Sequence, residues 1–290
     1  MIDDQLLKIL ACPVCKGDVA YDGRGIVCSK CQRIYPIKDN IPIMLVESET
    51  AFEKVFDSVF ENYSDMYSKL NQNIKKYFNA NLVDKNNIQK VLDVGNGGLN
   101  STDIFTAKNR QNLELFVGSD INLGMLTRNK YNFRVNSDAL NLPFQNESFD
   151  AIIVMQLIHH IGFDPTKSQT HRLKAFLHNL SPLLKKTGNI YIIEPTVSLF
   201  LKFLQDLLYV PICTKLLRKK FIQTYIFNHC ILEEALREVF AVEVVEYKRM
   251  HKLFDSKWEL LSPTLFLPWL KLPIVCAAPY EVMFCRAARK

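Results

Sequence analysis

From Ile88 onward, short apolar runs alternate with amphipathic stretches. QKVLDV, LELFVGSDI, FRVNSDAL, FDAIIVMQLI and NIYIIEP are rich in β-branched and large apolar residues and read as five strands. Between them, LGMLTRNK and HRLKAFLHNLSPLLKK carry apolar residues at helical spacing. Strands alternating with helices predict a parallel α/β sheet covered on both faces. FAVEVVEY and YEVMFCRA read as closing antiparallel strands, with an apolar insertion at about 250–279 between them and another at about 196–228. Upstream, Phe52, Phe56, Phe60, Tyr63 and Tyr67 fall at i, i+4, i+8, i+11 and i+15, which places them on one face of a helix. Packing on the domain is the expected role of that stripe, and closure over a ligand through Tyr63 or Tyr67 is the alternative. The first 47 residues have a different rhythm: VAYD and GIVC are short strands separated by glycines, and RIYPIKDNIPIMLVES, with Pro36 and Pro42, suits an edge strand and a turn. The chain therefore divides into a small domain at 1–47, a linker with cap helices at 48–87, and a large domain at 88–290.

Composition adds little to this division. The 290 residues are 48% hydrophobic and 23% charged, which is globular composition. A net charge of +6 does not by itself imply nucleic acid, for which a clustered patch is the evidence; Lys215, Arg218, Lys219 and Lys220 gather at the far end of the apolar insertion at 196–228, where an interfacial helix would turn them toward head groups. MIDDQLLKIL lacks the basic start and apolar core of a secretory signal, and no apolar run is long enough to span a bilayer, so the expected location is cytoplasmic, with peripheral membrane contact as an alternative.

The cysteines change the picture. Cys12 and Cys15 form one Cys-x2-Cys pair and Cys28 and Cys31 a second, twelve residues apart. Two such knuckles present four thiolates, the donor set of a closed, structural zinc site. A segment this short buries too little apolar surface to fold alone, so a metal staple has a physical purpose. Two disulfides or four free thiols are the alternatives. LLKILACPVC…CSKCQRIYPIKDNIPIML resembles the Trm112 family of small zinc ribbons over nearly all of residues 1–47. The resemblance implies an activator or partner of methyltransferases, here fused to the rest of the chain.

In a parallel sheet, ligands sit beyond the carboxyl ends of the strands. Those ends carry Asp93, Gly95 and Gly97 after strand one, Asp120 ending strand two, Asp138 ending strand three with Ala139 next, Gln156, His159 and His160 after strand four, and Glu194 ending strand five. Glycines let a ligand approach the backbone, and an acidic residue about 25 positions on is placed to accept from a ribose diol. Neither Lys nor Ser/Thr follows the glycines as a phosphate-binding loop needs.

VLDVGNGG, VGSDIN, SDALNLPFQNESFDAIIVMQLIHHI and LLKKTGNIYIIEP, in that order, resemble class I S-adenosylmethionine-dependent methyltransferases of the type 11 group over about residues 88–195. The resemblance implies a Rossmann-like seven-stranded sheet with helices on both faces. It also implies a cofactor site of Asp93, Gly95, Gly97, Asp120, Ile121, Asp138, Ala139 and Gln156. Asp138 and Ala139 would lie at the adenine, Gln156 near the methionine part, and Asp93 at the amino end, directly or through water. The family pattern is Gly-x-Gly-x-Gly; here the third glycine, Gly98, comes one place early and Leu99 comes next.

Methyl transfer from a sulfonium needs in-line placement of a nucleophile more than acid–base machinery. His159 and His160 stand where an acceptor would enter, and either is a candidate to orient or deprotonate it. The apolar insertions favour a small-molecule or lipid-like acceptor. Two alternatives stand beside it. One is an RNA methyltransferase, since zinc ribbons also precede such domains in rRNA guanine methyltransferases; residues 1–46, with six Lys/Arg against five Asp/Glu, are too balanced for strong phosphate binding. The other is a non-catalytic scaffold with a degenerate cofactor site.

Overall fold

The computed structural model describes residues 2–46, 88–97, 110–129, 131–161, 168–209, 225–249 and 281–290, with a few isolated positions between them. The aromatic stripe from Phe52 to Tyr67, Gly98 and Leu99, Lys215, Arg218, Lys219 and Lys220, and the insertion at 250–279 lie outside the described residues.

The small domain opens with helix α1 (Asp4–Leu7), capped by the Asp3 carboxylate on the Gln5 N–H. Strands β1 (Val19–Tyr21), β2 (Ile26–Cys28) and β3 (Ile34–Tyr35) form an antiparallel sheet, and β4 (Ile37–Lys38) pairs with β5 (Ile41–Pro42). The large domain holds β6 (Lys90–Val94), β7 (Leu115–Asp120), helix α2 (Leu123–Arg128), β8 (Phe133–Asn136), β9 (Phe149–Met155), the short helix α3 (Ile158–Ile161), helix α4 (Gln169–Leu180), β10 (Leu184–Thr196), helix α5 (Leu199–Leu204), helix α6 (His229–Val239), β11 (Phe240–Arg249) and β12 (Glu281–Arg289). Its seven strands lie in the order β11-β12-β10-β9-β6-β7-β8. Strands β6 to β10 run parallel and β12 is antiparallel to both its neighbours. This is the expected α/β sheet with its antiparallel close.

One expected helix is shorter than its apolar pattern. HRLKAFLHNLSPLLKK is helical only to Leu180; Ser181–Leu183 form a single 3-10 turn, and Leu184 already begins β10. Pro182 has no N–H to continue the helix, so of the apolar pair after it Leu183 closes the 3-10 turn and Leu184 serves the sheet. The third strand is also shorter than FRVNSDAL: it stops at Asn136, and Asp138 to Asn141 make a turn.

Alternate residues of each strand feed two cores. Leu92, Val94, Val117, Ile152, Val154, Ile190 and Ile192 face α4 and α6 and join a core that also contains Leu6, Leu10, Ile26 and Tyr35 of the small domain. Val91, Phe116, Ile153, Tyr191, Ile193 and Phe284 form the second core on the opposite face. The shared core shows that the small domain packs on the sheet rather than hanging from a linker.

It also completes an edge. Strand β8 ends the sheet, and an open edge is a row of unpaired backbone groups. Ile43 pairs with Asn136 in parallel register, and the Met44 N–H donates to the Asn136 carbonyl at 2.8 Å. Farther along, the Ala11 N–H donates to the Pro143 carbonyl, the Gln145 N–H donates to the Ile9 carbonyl, both at 2.9 Å, and the Lys16 ammonium reaches the Leu142 carbonyl. The loop from Ser137 to Asn141 is thus bracketed on both sides by the small domain.

Candidate functional site

The cysteines converge as their spacing demands. Cys12, Cys15, Cys28 and Cys31 place all four Sγ atoms within 4.8 Å of one another. Cys12 and Cys31 are 3.6 Å apart and Cys15 and Cys28 3.5 Å, far beyond a disulfide bond, and all four are free thiols. A tetrahedral ion with arms of about 2.3 Å sets its ligands about 3.8 Å apart, so the cluster fits zinc with little movement. Burial opposes ionisation of Cys12, yet hydrogen bonds from the Tyr35 hydroxyl, 3.1 Å away, and from the knuckle backbone hold its thiol at about 6. With all four positions filled by sulfur, such a site offers no open coordination position for chemistry.

The large domain gathers its polar groups at the carboxyl edge of the parallel strands. Asp120, buried at the tip of β7, accepts from the Gly97 N–H at 2.7 Å through Oδ2 and from the Asn122 N–H at 2.8 Å through Oδ1. Burial pushes its carboxyl above the usual range, and the bonds from Asn122, Gly97 and Ile121 pull the other way. An ionised carboxylate has about four acceptor positions, so capacity for further donors remains. Asn136, at the end of β8, holds this corner from below: its amide donates to the carbonyls of Asp120 at 3.0 Å and Ile121 at 2.8 Å. Sequence reasoning missed Asn136; an amide directly before Ser137 and Asp138 at a strand end is the signal that marks it.

The glycine turn has the required backbone. Gly95 and Gly97 sit at φ +67° and +53°, in the left-handed region that suits glycine. A Cβ on Gly95 would meet the Leu157 side chain at 2.4 Å, whereas a Cβ on Gly97 would stand in open space among the described residues. That open space beside the Asp120 carboxylate is room for a ligand. Asn96, between the glycines, is buried with neither its amide oxygen nor its nitrogen hydrogen-bonded to protein. Among the described residues nothing answers this amide, and a buried amide in that state is the kind of group that an incoming ligand or water satisfies.

Asp93, buried at the end of β6, accepts from the Tyr131 hydroxyl at 2.7 Å. Asp138 is engaged locally, Oδ1 with the Leu140 N–H at 2.9 Å and Oδ2 with the Asn141 amide at 3.1 Å, and so shapes the turn that carries Ala139. Gln156, at φ +54°, leaves β9 in a tight turn and donates its N–H to the Ile193 carbonyl at 2.8 Å.

After Gln156 the chain enters α3, whose open end is filled by a side chain from another strand. Glu194, buried near the end of β10, accepts from the N–H groups of Leu157 and Ile158, each at 3.1 Å, and of His159 at 3.0 Å. Its Oε1 also meets the His159 Nδ1 at 2.5 Å. The His160 ring lies against that of His159, centroids 4.2 Å apart, and burial together with its neighbour pushes its pKa well below the ordinary value. Tyr225 crosses this helix, donating its N–H to the His159 carbonyl at 2.8 Å and its hydroxyl to Asp206 at 2.8 Å. Sequence reasoning placed Glu194 at a strand end without assigning it a role.

Comparison with known proteins agrees with both halves. Residues 3–40 match the family described as Trm112p-like protein, and residues 92–192 match the family described as methyltransferase domain. A UPF0434 protein of Nitrosococcus oceani is 44% identical over 54 residues, 18% of this chain and 92% of the relative. A UPF0434 protein of Magnetococcus marinus is 46% identical over 56 residues, 18% of this chain and 93% of its own length. Among solved structures, a complex of the Haloferax volcanii Trm112 methyltransferase activator with its partner matches with a TM-score of 0.54 at 14% identity, covering 82% of this chain and 97% of the chain it matches. At that identity the likeness speaks for the fold alone.

Proposed function

We propose an acceptor class and a division of labour for a chain that belongs to the Trm112p-like family through its first domain and to the methyltransferase domain family through its second. It is an S-adenosylmethionine-dependent methyltransferase; what it methylates and how its parts share the task are our reading. The cofactor, when bound, supplies an electrophilic methyl group on a sulfonium. Asp120 accepts from the ribose hydroxyls with its remaining lone pairs, and Ile121 lines the same corner. Gly95 and Gly97 let the cofactor lie against the backbone. Asp138 and Ala139 hold the adenine side, Gln156 the methionine side and Asp93 the amino end. The observation that carries this assignment is the buried Asp120 carboxylate tied to the glycine turn beside open space.

The ribbon holds zinc on Cys12, Cys15, Cys28 and Cys31 and acts in place of a separate activator. The Haloferax volcanii protein is named as a methyltransferase activator. Here the corresponding domain is covalently attached and lies on edge strand β8, bracketing the adenine-side loop.

The acceptor is a small-molecule or lipid-like compound. Linked to α3 through Tyr225, which bonds both His159 and Asp206, the exposed surface of α5 and the turn after it carries Leu199, Phe200, Phe203 and Leu207, each more than half exposed. Such an apolar face linked to the reaction site favours an apolar acceptor or the surface that delivers it. Among the described residues no helix is long and apolar enough to cross a membrane. The test is incubation with methyl-labelled S-adenosylmethionine and, separately, a lipid extract, a small-metabolite fraction and total RNA. Label entering the lipid or metabolite fraction is expected. Label entering RNA instead, with an affinity that falls steeply with salt, overturns the acceptor assignment.

A further inference from the structure

We propose that Glu194 is a positioning residue that fixes His159 as a base with its Nε2 turned to the acceptor. This inference rests on the reading that the site methylates an acceptor. Three backbone N–H groups already point at the Glu194 carboxyl, so it serves there as an acceptor-only carboxylate. The fourth group to meet it, His159 Nδ1, must therefore supply the hydrogen. A neutral ring with Nδ1 protonated carries its lone pair on Nε2. The same carboxylate that sets the tautomer also caps α3, so the ring and the helix bearing it are placed by one group. The Tyr225 N–H also holds the His159 carbonyl, at 2.8 Å.

His160 is no equal alternative. Burial and the neighbouring ring hold it uncharged, which opposes the proton gain that a base must make. The ionisable groups around His159 are Glu194 from β10, His160 in the next position, Tyr225 with Asp206 behind it, and Arg172 of α4, whose Nε donates to the Ile161 carbonyl at the far end of α3. Of these, Glu194 is the group that meets the ring in a hydrogen bond.

The chemistry balances with no further reactant. The acceptor bears an O–H or N–H group. His159 Nε2 takes that proton as the acceptor's lone pair bonds to the methyl carbon, while the carbon–sulfur electron pair stays on sulfur, leaving a neutral thioether. The positive charge passes from the sulfonium to the imidazolium, where the Glu194 carboxylate offsets it. A carbon acceptor with no acidic hydrogen would have no use for this pair.

The test is two-bond nitrogen–proton NMR of the histidine rings in the full-length, zinc-loaded chain, with the His159→Gln spectrum assigning the signal. The wild type should show His159 as the Nδ1–H tautomer, the less favoured form of free imidazole. In Glu194→Gln that form should drop from dominant to minor, because the new amide offers a donor where the ring needs an acceptor. An Nε2–H tautomer in the wild type overturns the proposal, as does an unchanged tautomer in Glu194→Gln. Should Glu194→Gln fail to fold, diethyl pyrocarbonate decides on the wild type: acylation of His159 at Nε2 ahead of His160 is expected, and equal or reversed reactivity refutes it. Calorimetry with S-adenosylhomocysteine runs alongside. Failure to bind sinks the methyltransferase reading, whereas binding with the wrong tautomer sinks only this proposal.

Discussion

Replacing Asp120 by Asn tests whether its carboxylate is a cofactor ligand or only a loop staple. In the wild type, two backbone N–H groups converge on its two oxygens, Gly97 at 2.7 Å and Asn122 at 2.8 Å. Asparagine keeps one acceptor oxygen and turns an amide N–H2 toward the second donor. One charge-assisted bond is lost, worth about 1.5–3 kcal/mol. Removal of a buried charge works in the opposite direction, since burial raises the Asp120 carboxyl. The two effects act on the same state, so the net change in stability should stay below about 1.5 kcal/mol. Binding has no such compensation. A ribose diol that met a carboxylate now meets a neutral amide, and the loss of about 1.5–3 kcal/mol weakens S-adenosylhomocysteine roughly 10- to 150-fold.

The pH dependence separates the two roles further. The raised pKa means the folded protein favours protonated Asp120 relative to the unfolded chain. That contribution to stability is fully present below the unfolded pKa and is lost as pH rises through the folded one. The ligand needs the opposite form, because only the carboxylate accepts from both hydroxyls. Wild-type affinity should therefore fall as pH drops through the raised pKa, while stability does not fall for this reason, and Asp120→Asn should lose that part of the slope. Calorimetry over a pH series, with denaturant melts of both proteins, measures all of this. A folded Asp120→Asn that binds within about twofold of wild type, with the same slope, would refute the assignment.

Three other perturbations probe the rest of the architecture. Stripping zinc, or Cys28→Ser, should unfold the ribbon and lower S-adenosylhomocysteine affinity, since contacts at Asn136 and Leu142 go with it; metal analysis and calorimetry check this, and undiminished affinity in metal-free protein would break the link. Asn136→Ala takes its amide donor from the Ile121 carbonyl and leaves the Asp120 carbonyl with the Ser137 N–H alone; it should cost about 1–3 kcal/mol in a denaturant melt, with weaker cofactor binding at constant zinc content. Phe200→Ser with Phe203→Ser, at sites 68% and 59% exposed, should leave the melt within about 0.5 kcal/mol and reduce binding of a hydrophobic dye or of lipid vesicles; a large loss of stability would show the face to be covered.

The features legible in the sequence share a cause. Four cysteines at knuckle spacing, and acidic or glycine positions at the ends of apolar runs, are local patterns that hold wherever the chain later packs. The strands, their closing antiparallel pair and the cysteine cluster are readable for that reason. What escapes depends on distant partners. Glu194 looks like one more strand-end acid until three N–H groups from a helix 35 to 37 positions earlier are seen to converge on it. Asn136 looks like one more residue of the third strand until its amide is found under Asp120. The over-long helix before β10 fails for a local reason, because leucines on both sides of Pro182 fit a helix and a strand equally well.

Asn136 also explains how a ribbon with no open metal position bears on chemistry elsewhere. Its backbone carbonyl takes the Met44 N–H from the ribbon, and its side chain donates to the carbonyls of Asp120 and Ile121. One residue thus touches the added strand on one side and the Asp120–Ile121 corner on the other. Without the ribbon, β8 becomes a bare edge four residues long, and short edge strands fray. Fraying there would release Asn136 first, then Ser137, whose N–H donates to the Asp120 carbonyl at 3.0 Å and whose hydroxyl lies 2.7 Å from that of Ser119. On the proposed reading the ribbon needs no group in the reaction to act on it; holding the outermost strand supports the carboxylate at the tip of β7.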